Sequence, residues 1–189
     1  MTRIINGEWV LFKAKNFDTK DNILSVKERL DYLNSINITK DLDENDRFHY
    51  YKFKGLALEE LGNLDEALKN YEDAIKNFLP SKNQTENSLI QIIDWKANIL
   101  EKQNKIEKAL KEYEKITEID SKKQGSGLLD LSRICITLGK YERAKKALEK
   151  LEKIKKDSPN YVDYWKKEID KLKEKISEEE KNEKGKQGR

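Results

Sequence analysis

In the stretch LGNLDEALKNYEDAI, residues 61–75, apolar and small residues fall at helical intervals. Ala67, Tyr71 and Ala74 share one face, and Gly62 divides this run from a helical run before it. Nearly the same phrase returns at Ile106-Glu-Lys-Ala-Leu-Lys-Glu-Tyr and at Leu138-Gly-Lys-Tyr-Glu-Arg-Ala. Setting Ala67, Ala109 and Ala144 in one register aligns the rest: Gly55, Ala97 and Ser132 precede them by twelve residues, and Leu58, Leu100 and Cys135 by nine. Gly62, Asn104 and Gly139 stand five before, at the turn, and Leu64, Ile106 and Tyr141 three before. Tyr71, Tyr113 and Leu148 follow four after, with Ala74, Ile116 and Leu151 three further on. Two small residues per unit, one in each half, let antiparallel helices approach closely while the large residues fill the grooves. The pattern predicts a helical hairpin used three times.

The hairpins are expected at 48–81, 90–123 and 125–158. The aligned alanines are 42 residues apart at the first junction and 35 at the second. The first junction therefore carries an insertion at 82–89; the polar, proline-led PSKNQTEN, residues 80–87, is expected to form a loop or to extend the flanking helices. Residues 1–47 are expected to form an N-terminal helical segment, with a degenerate fourth hairpin at 6–39. Within it Trp9, Phe12, Ile23, Leu24, Val26, Leu30, Leu33 and Ile36 support two helices broken near Asp18-Thr19, and a short strand around residues 9–12 is the rival. After the repeats, Ser158-Pro159 signals a helix start, and Val162, Trp165, Ile169, Leu172 and Ile176 form one stripe. Residues 159–176 are thus expected to cap the last hairpin, as a stack of repeats needs. The polar remainder, 177–189, is expected to be a disordered tail.

Composition narrows the function classes. Of 189 residues, 36% are hydrophobic and 40% charged, which suits an elongated helical array better than one large core. Lys and Arg (39) nearly balance Asp and Glu (36), and the signs interleave. The small positive excess lies in the last fifty residues; a nucleic-acid or membrane partner is not expected on this basis. No apolar run suffices to cross a bilayer and no export signal is read, so a cytoplasmic location is expected. One cysteine excludes an intrachain disulfide, and with one histidine it cannot build a structural zinc site, so neither metal nor cofactor is expected.

Catalytic chemistry finds no foothold. No nucleophile–base pair, glycine-rich phosphate loop or paired-carboxylate motif is present, so an enzyme is not expected. His49 reads as a partly exposed surface histidine and Cys135 as an inert buried thiol. The acidic runs at 41–46 and 178–180 read as solvated segments or helix N-terminal charge.

The hairpins resemble the tetratricopeptide repeat, whose unit is about 34 residues of helix-turn-helix. Some positions depart from that pattern: Lys54 and Lys96 stand where the family usually has leucine, Ile116 and Leu151 replace a small residue, and Pro80 and Pro159 fall late. The resemblance implies an all-α fold, a right-handed superhelical α-solenoid of antiparallel helix pairs with a C-terminal capping helix. It also implies that the first helix of each pair lines a concave wall. The register then assigns that wall His49, Lys52, Phe53, Leu56 and Glu60 from the first hairpin. The second supplies Gln91, Asp94, Trp95, Asn98 and Lys102, and the third Ser126, Leu129, Asp130, Arg133 and Thr137. Phe53 and Trp95 occupy equivalent places, and large aromatics beside an amide and mixed charges suit a peptide-binding surface. They could instead pack against a preceding repeat or under the C-terminal helix. By position, Asn98 matches asparagines that hold a peptide backbone in related proteins. Relatives that grip the C-terminal carboxylate of heat-shock chaperones use lysines, asparagines and an arginine. Here Lys52 fits one such place but Leu56, Trp95, Ser126 and Asp130 fill the others, so that clamp is not expected. The expected function is a non-enzymatic scaffold or adaptor binding a protein or peptide segment in the groove. The alternatives are a homo-oligomeric structural subunit, using the Val162–Ile176 stripe, and an RNA-binding module.

Overall fold

A computed structural model describes residues 25–80, 85–119, 125–156 and 164–187. Among these residues every regular element is a helix: α1 (Val26–Asn34), α2 (Ile38–Asp41), α3 (Glu44–Glu60), α4 (Leu64–Lys76), α5 (Glu86–Lys102), α6 (Ile106–Ile119), α7 (Ser126–Thr137), α8 (Tyr141–Lys156) and α9 (Tyr164–Gln187). The fold is an all-α helical repeat. The chain forms two compact units, residues 1–99 and 100–189, and the division falls inside α5.

Each hairpin turns by the same device. The second residue after the first helix adopts a left-handed conformation, φ 79° at Gly62, 58° at Asn104 and 68° at Gly139. There the amide of the following residue donates five positions back, Asn63 to Leu58, Lys105 to Leu100 and Lys140 to Cys135, each at 2.8 Å. The left-handed residues donate to Glu59, Glu101 and Ile136 at 2.9, 2.8 and 3.0 Å. This is the Schellman closure, which satisfies carbonyls a helix end otherwise leaves without partners. Glycine adopts the conformation without a Cβ penalty, and asparagine is the side chain that tolerates it best.

In the first unit, Phe48, Leu58, Ala67, Tyr71, Ala74, Ile92 and Ile99 form one buried cluster across α3, α4 and α5. A second, smaller cluster joins Leu33, Ile36, Leu42 and Tyr50, with Tyr32, Ile38, Tyr51 and Phe53 half-buried around it. Gly55 is buried at the crossing of α3 and α4; a Cβ there would sit 2.5 Å from Cε1 of Tyr71, so the absent side chain sets how closely the helices approach. The lysines that break the leucine pattern keep their ammonium groups engaged. Lys54 lies over the Tyr50 ring, 5.5 Å from its centroid, and donates to its hydroxyl at 3.3 Å. Lys96 pairs with Glu72 of α4 at 3.0 Å.

The Tyr71 ring is fully buried, and its hydroxyl donates to Glu59 Oε2 at 2.8 Å. Burial, and then the hydrogen bond to Glu59, push its pKa well above the ordinary tyrosine value of 10.0. The raised folded-state pKa contributes stability below pH 10 that is lost as pH rises beyond it, because only the unfolded chain then releases the proton. A tyrosine that stays protonated when folded costs about 1.4 kcal/mol per pH unit in that range. Tyr71→Phe is therefore expected to lower stability at neutral pH by about 1 kcal/mol and to flatten its fall above pH 10. Urea unfolding at neutral and alkaline pH checks this; an alkaline fall as steep as in the parent would contradict it.

In the second unit, Tyr113 repeats the arrangement at the same register, its hydroxyl donating to Glu101 Oε1 at 2.5 Å. The third hairpin has apolar residues at these places, Leu148 and Ile136, both buried. α7 packs on α6 and α8, and α9 packs on α8 and α7. Lys140, just before α8, pairs with Glu107 of α6 at 3.0 Å, and Arg143 of α8 pairs with Glu114 of α6. Ile169, Leu172 and Ile176 of α9 are buried, while Lys145–Glu180 at 2.6 Å and Lys173–Glu152 at 2.8 Å tie its outer edge to α8.

Several boundaries differ from the sequence expectation. α3 begins at Glu44 because Asp43 caps it, accepting from the Asp46 amide at 2.9 Å. The acidic run at 41–46 thus serves a helix start. α5 begins at Glu86, so the end of the insertion extends a helix. α1 starts in a capping box, in which Ser25 accepts from the Glu28 amide and the Glu28 carboxylate accepts from the Ser25 amide. These bonds hold the Glu28 carboxyl below its ordinary range. α1 stops at Asn34 with Ser35 as its C-cap, short of Ile36. The tail expected to be disordered from 177 is helical through Gln187. Glu, Lys and Gln are strong helix formers, and Glu180 is held by Lys145. The expectations for residues 9–12 and 18–19, the Ser158-Pro159 start, and Val162 lie outside the described residues.

Candidate functional site

The face read from the register as the inner wall can be followed within each unit. In the first unit α3 presents His49, Lys52, Phe53 and Leu56 at spacings of three and four residues, and α5 presents Gln91, Asp94, Trp95 and Asn98 likewise. The geometry joins five of them. The Lys52 ammonium lies 5.3 Å from the Trp95 ring centroid and 6.0 Å from that of Phe53, and it donates to Gln91 Oε1 at 2.9 Å. His49 stacks on Phe53 with centroids 6.5 Å apart and planes 24° apart, and meets Phe48 edge-on at 5.0 Å. Trp95 leans on the buried Tyr71 ring, 5.8 Å away at 37°.

Phe53 and Trp95 are both half-buried. Phe53 packs on the cluster of Leu33, Ile36, Leu42 and Tyr50, and Trp95 on the larger cluster. Each therefore has one side in the fold and one side at the surface. Leu56 is also half-buried and packs on the larger cluster. Asn98 Nδ2 donates to Asp94 Oδ2 at 3.2 Å, one turn away on α5. Glu60 is engaged by Arg29 of α1. Sequence reading missed Arg29, and no local signal could have found it, because the pair is separated by 31 residues.

The remaining positions belong to the second unit. Lys102 is exposed at the end of α5, and Leu129 and Asp130 are half-buried on α7. Arg133 is exposed and pairs with Asp130 at 2.8 Å, and Thr137 donates to the Arg133 carbonyl at 3.2 Å. Ser126 opens α7.

The surface offers aromatic rings, a positioned ammonium, amides and a carboxylate, which are means of recognition. Cys135 is fully buried, and burial pushes its thiol above the ordinary range, so the thiolate is disfavoured. Among the described residues no group of His, Cys, Asp and Glu is placed to hold a metal ion, and no helix is long and apolar enough to cross a membrane.

Comparison with known proteins bears on the fold. A family model described as Tetratricopeptide repeat matches residues 48–77, 90–123 and 126–158, just over half of the chain. Among solved structures, a tetratricopeptide repeat protein from Parabacteroides merdae superimposes with a TM-score of 0.64 at 17% identity, covering 88% of this chain. This chain spans only 60% of that protein's length. Nearly identical TPR-like repeats from Podosopora anserina give 0.64 at 14% identity, covering 94% of this chain and 88% of the other. MamA gives 0.59 at 16% identity, with 80% and 79% covered. At these identities the likeness is one of fold. A search of curated proteins finds no match.

Proposed function

Because the chain belongs to the tetratricopeptide-repeat family, whose repeats generally mediate protein–protein interaction, we propose that it is a non-enzymatic scaffold or adaptor. It holds a peptide or protein segment on the face of α3 and α5 in the first unit. The observation that carries this reading is the Lys52 ammonium set over Trp95 and Phe53 and tied to Gln91. Half-exposed aromatic rings with fixed rotamers bind at low entropic cost, and a centred cation adds orientation. His49, Leu56, Asp94 and Asn98 flank this centre. Lys102, Leu129, Asp130 and Arg133 have the same role in the second unit.

The homo-oligomer reading has less support. Its apolar stripe on α9 is buried within the chain at Ile169, Leu172 and Ile176.

Trp95→Ala is expected to weaken capture of the partner by roughly tenfold or more, about 2 kcal/mol, as for a central aromatic anchor. The partner is first obtained by affinity purification from the native cell with the parent chain. Pull-down with parent and variant, with circular dichroism as a folding control, then checks the anchor. Undiminished capture by a folded variant refutes the assigned face.

A further inference from the structure

In the second unit α6 and α8 stand side by side and run in the same direction, since Lys140, just before α8, reaches Glu107 and Arg143 reaches Glu114 further along α6. α8 presents Lys146, Lys150 and Lys153, four and three residues apart and hence on one face. α6 presents Lys108 and Lys111. All five lysines are exposed. The repeat register puts Lys111 two residues after Ala109, as Lys146 stands two after Ala144, so the two sets lie on the same side of their hairpins.

The fate of the carboxylates sets this face apart. Glu107 and Glu114 are held by Lys140 and Arg143, and Glu112 by Lys115 at 2.9 Å. Glu142 is held by Lys145 at 3.1 Å, and Glu152 by Lys173 of α9 at 2.8 Å. Among the described residues the five lysines make no ion pair, and on these two helices only Glu118 and Glu149 are left unpaired as well. Pairing within the fold has taken up most of the acidic side chains and leaves a local positive field.

The kind of side chain selects the occupant. Lysine is a flexible point charge without the planar fork that arginine offers to phosphate. No aromatic side chain of α6 or α8 is exposed, Tyr113 being buried and Tyr141 half-buried, so nucleic-acid bases find no platform to stack on. No large apolar side chain of the two helices is exposed either, and nothing is offered for insertion into a bilayer. A whole-chain charge of +3 gives little long-range attraction for a polyanion. Successive lysines of α8 lie about 6 and 4.5 Å apart along the axis, near the roughly 7 Å between same-side residues of an extended chain. A short run of acidic side chains can meet them in turn.

We infer that the lysine face of α6 and α8 binds an acidic segment of a protein partner, with Lys146, Lys150 and Lys153 as its main contacts. This face shares no residue with the one proposed above, so either can fail alone.

Fluorescence anisotropy of a labelled oligoglutamate titrated with the full chain at moderate ionic strength tests this. The parent is expected to bind, with an affinity that falls as salt rises. Lys146→Gln, Lys150→Gln and Lys153→Gln together should weaken binding about tenfold, as the loss of three exposed ion pairs would. Lys167→Gln, Lys171→Gln and Lys175→Gln remove the same charge from exposed positions of α9 and should weaken it less than about twofold, because screening confines the effect of distant charges. Exposed substitutions of this kind change stability little, so circular dichroism of the three chains should coincide. No binding by the parent overturns the inference, as does an equal loss from the two triple variants. Tighter binding by the parent of an oligouridylate of equal charge, or of phosphatidylserine vesicles, also overturns it, because the occupant would then be a nucleic acid or a membrane.

Discussion

Valine in place of Gly55 is expected to destabilise the chain by about 2–3 kcal/mol. Two effects oppose one another. Removing a glycine from a helix interior gains about 0.5–1 kcal/mol. Against that, the new Cβ would lie 2.5 and 2.6 Å from two ring carbons of Tyr71, a residue with no exposed surface and hence no free direction in which to retreat. The clash exceeds the propensity gain, and valine's branched methyls widen it. The third hairpin suggests the repair: at the same two places it has Ser132 and Leu148, both fully buried. Adding Tyr71→Leu to Gly55→Val should recover part of the loss although the bond to Glu59 is gone. Urea unfolding of the single and double variants measures both. A Gly55→Val chain as stable as the parent would show that α3 and α4 do not need this close approach.

The second large effect concerns α9. Ile169 is fully buried and Ile176 nearly so, and truncating a buried isoleucine costs about 2–5 kcal/mol. Ile169→Ala should fall in that range and should speed hydrogen exchange along α9 and the part of α8 it covers. Lys173→Met, which removes the half-exposed pair with Glu152, should cost no more than about 1 kcal/mol. The contrast separates a helix held by its apolar stripe from one held by ions. Equal losses from the two substitutions, or an Ile169→Ala variant that melts like the parent, would reverse that assignment.

The repeat region was legible because its positions are mutually redundant. Once Ala67, Ala109 and Ala144 fix the register, Gly62, Asn104 and Gly139 fall where only left-handed residues close the turn, and their φ angles agree. The buried places at Tyr71, Tyr113 and Leu148 follow from the same register. What stayed hidden depended on distant partners. Nothing near Lys96 announces Glu72, and nothing near Glu60 announces Arg29. The tail misled because a polar terminal stretch suggested disorder, whereas its helix propensity and the Lys145 anchor keep it helical through Gln187. For the candidate site, the helical period identified which residues share a face. It left open whether Phe53 and Trp95 face solvent or the fold, since a ring with one side packed and one side open satisfies both readings of the pattern.

The triplicate turn closure has an evolutionary corollary. Its hydrogen bonds all lie within six consecutive residues, so each hairpin closes by local instruction alone, and the longer spacing at the first junction, part of which extends the start of α5, leaves those instructions intact. A lineage can therefore lengthen a junction, or splice in another whole module, without retuning the modules already present.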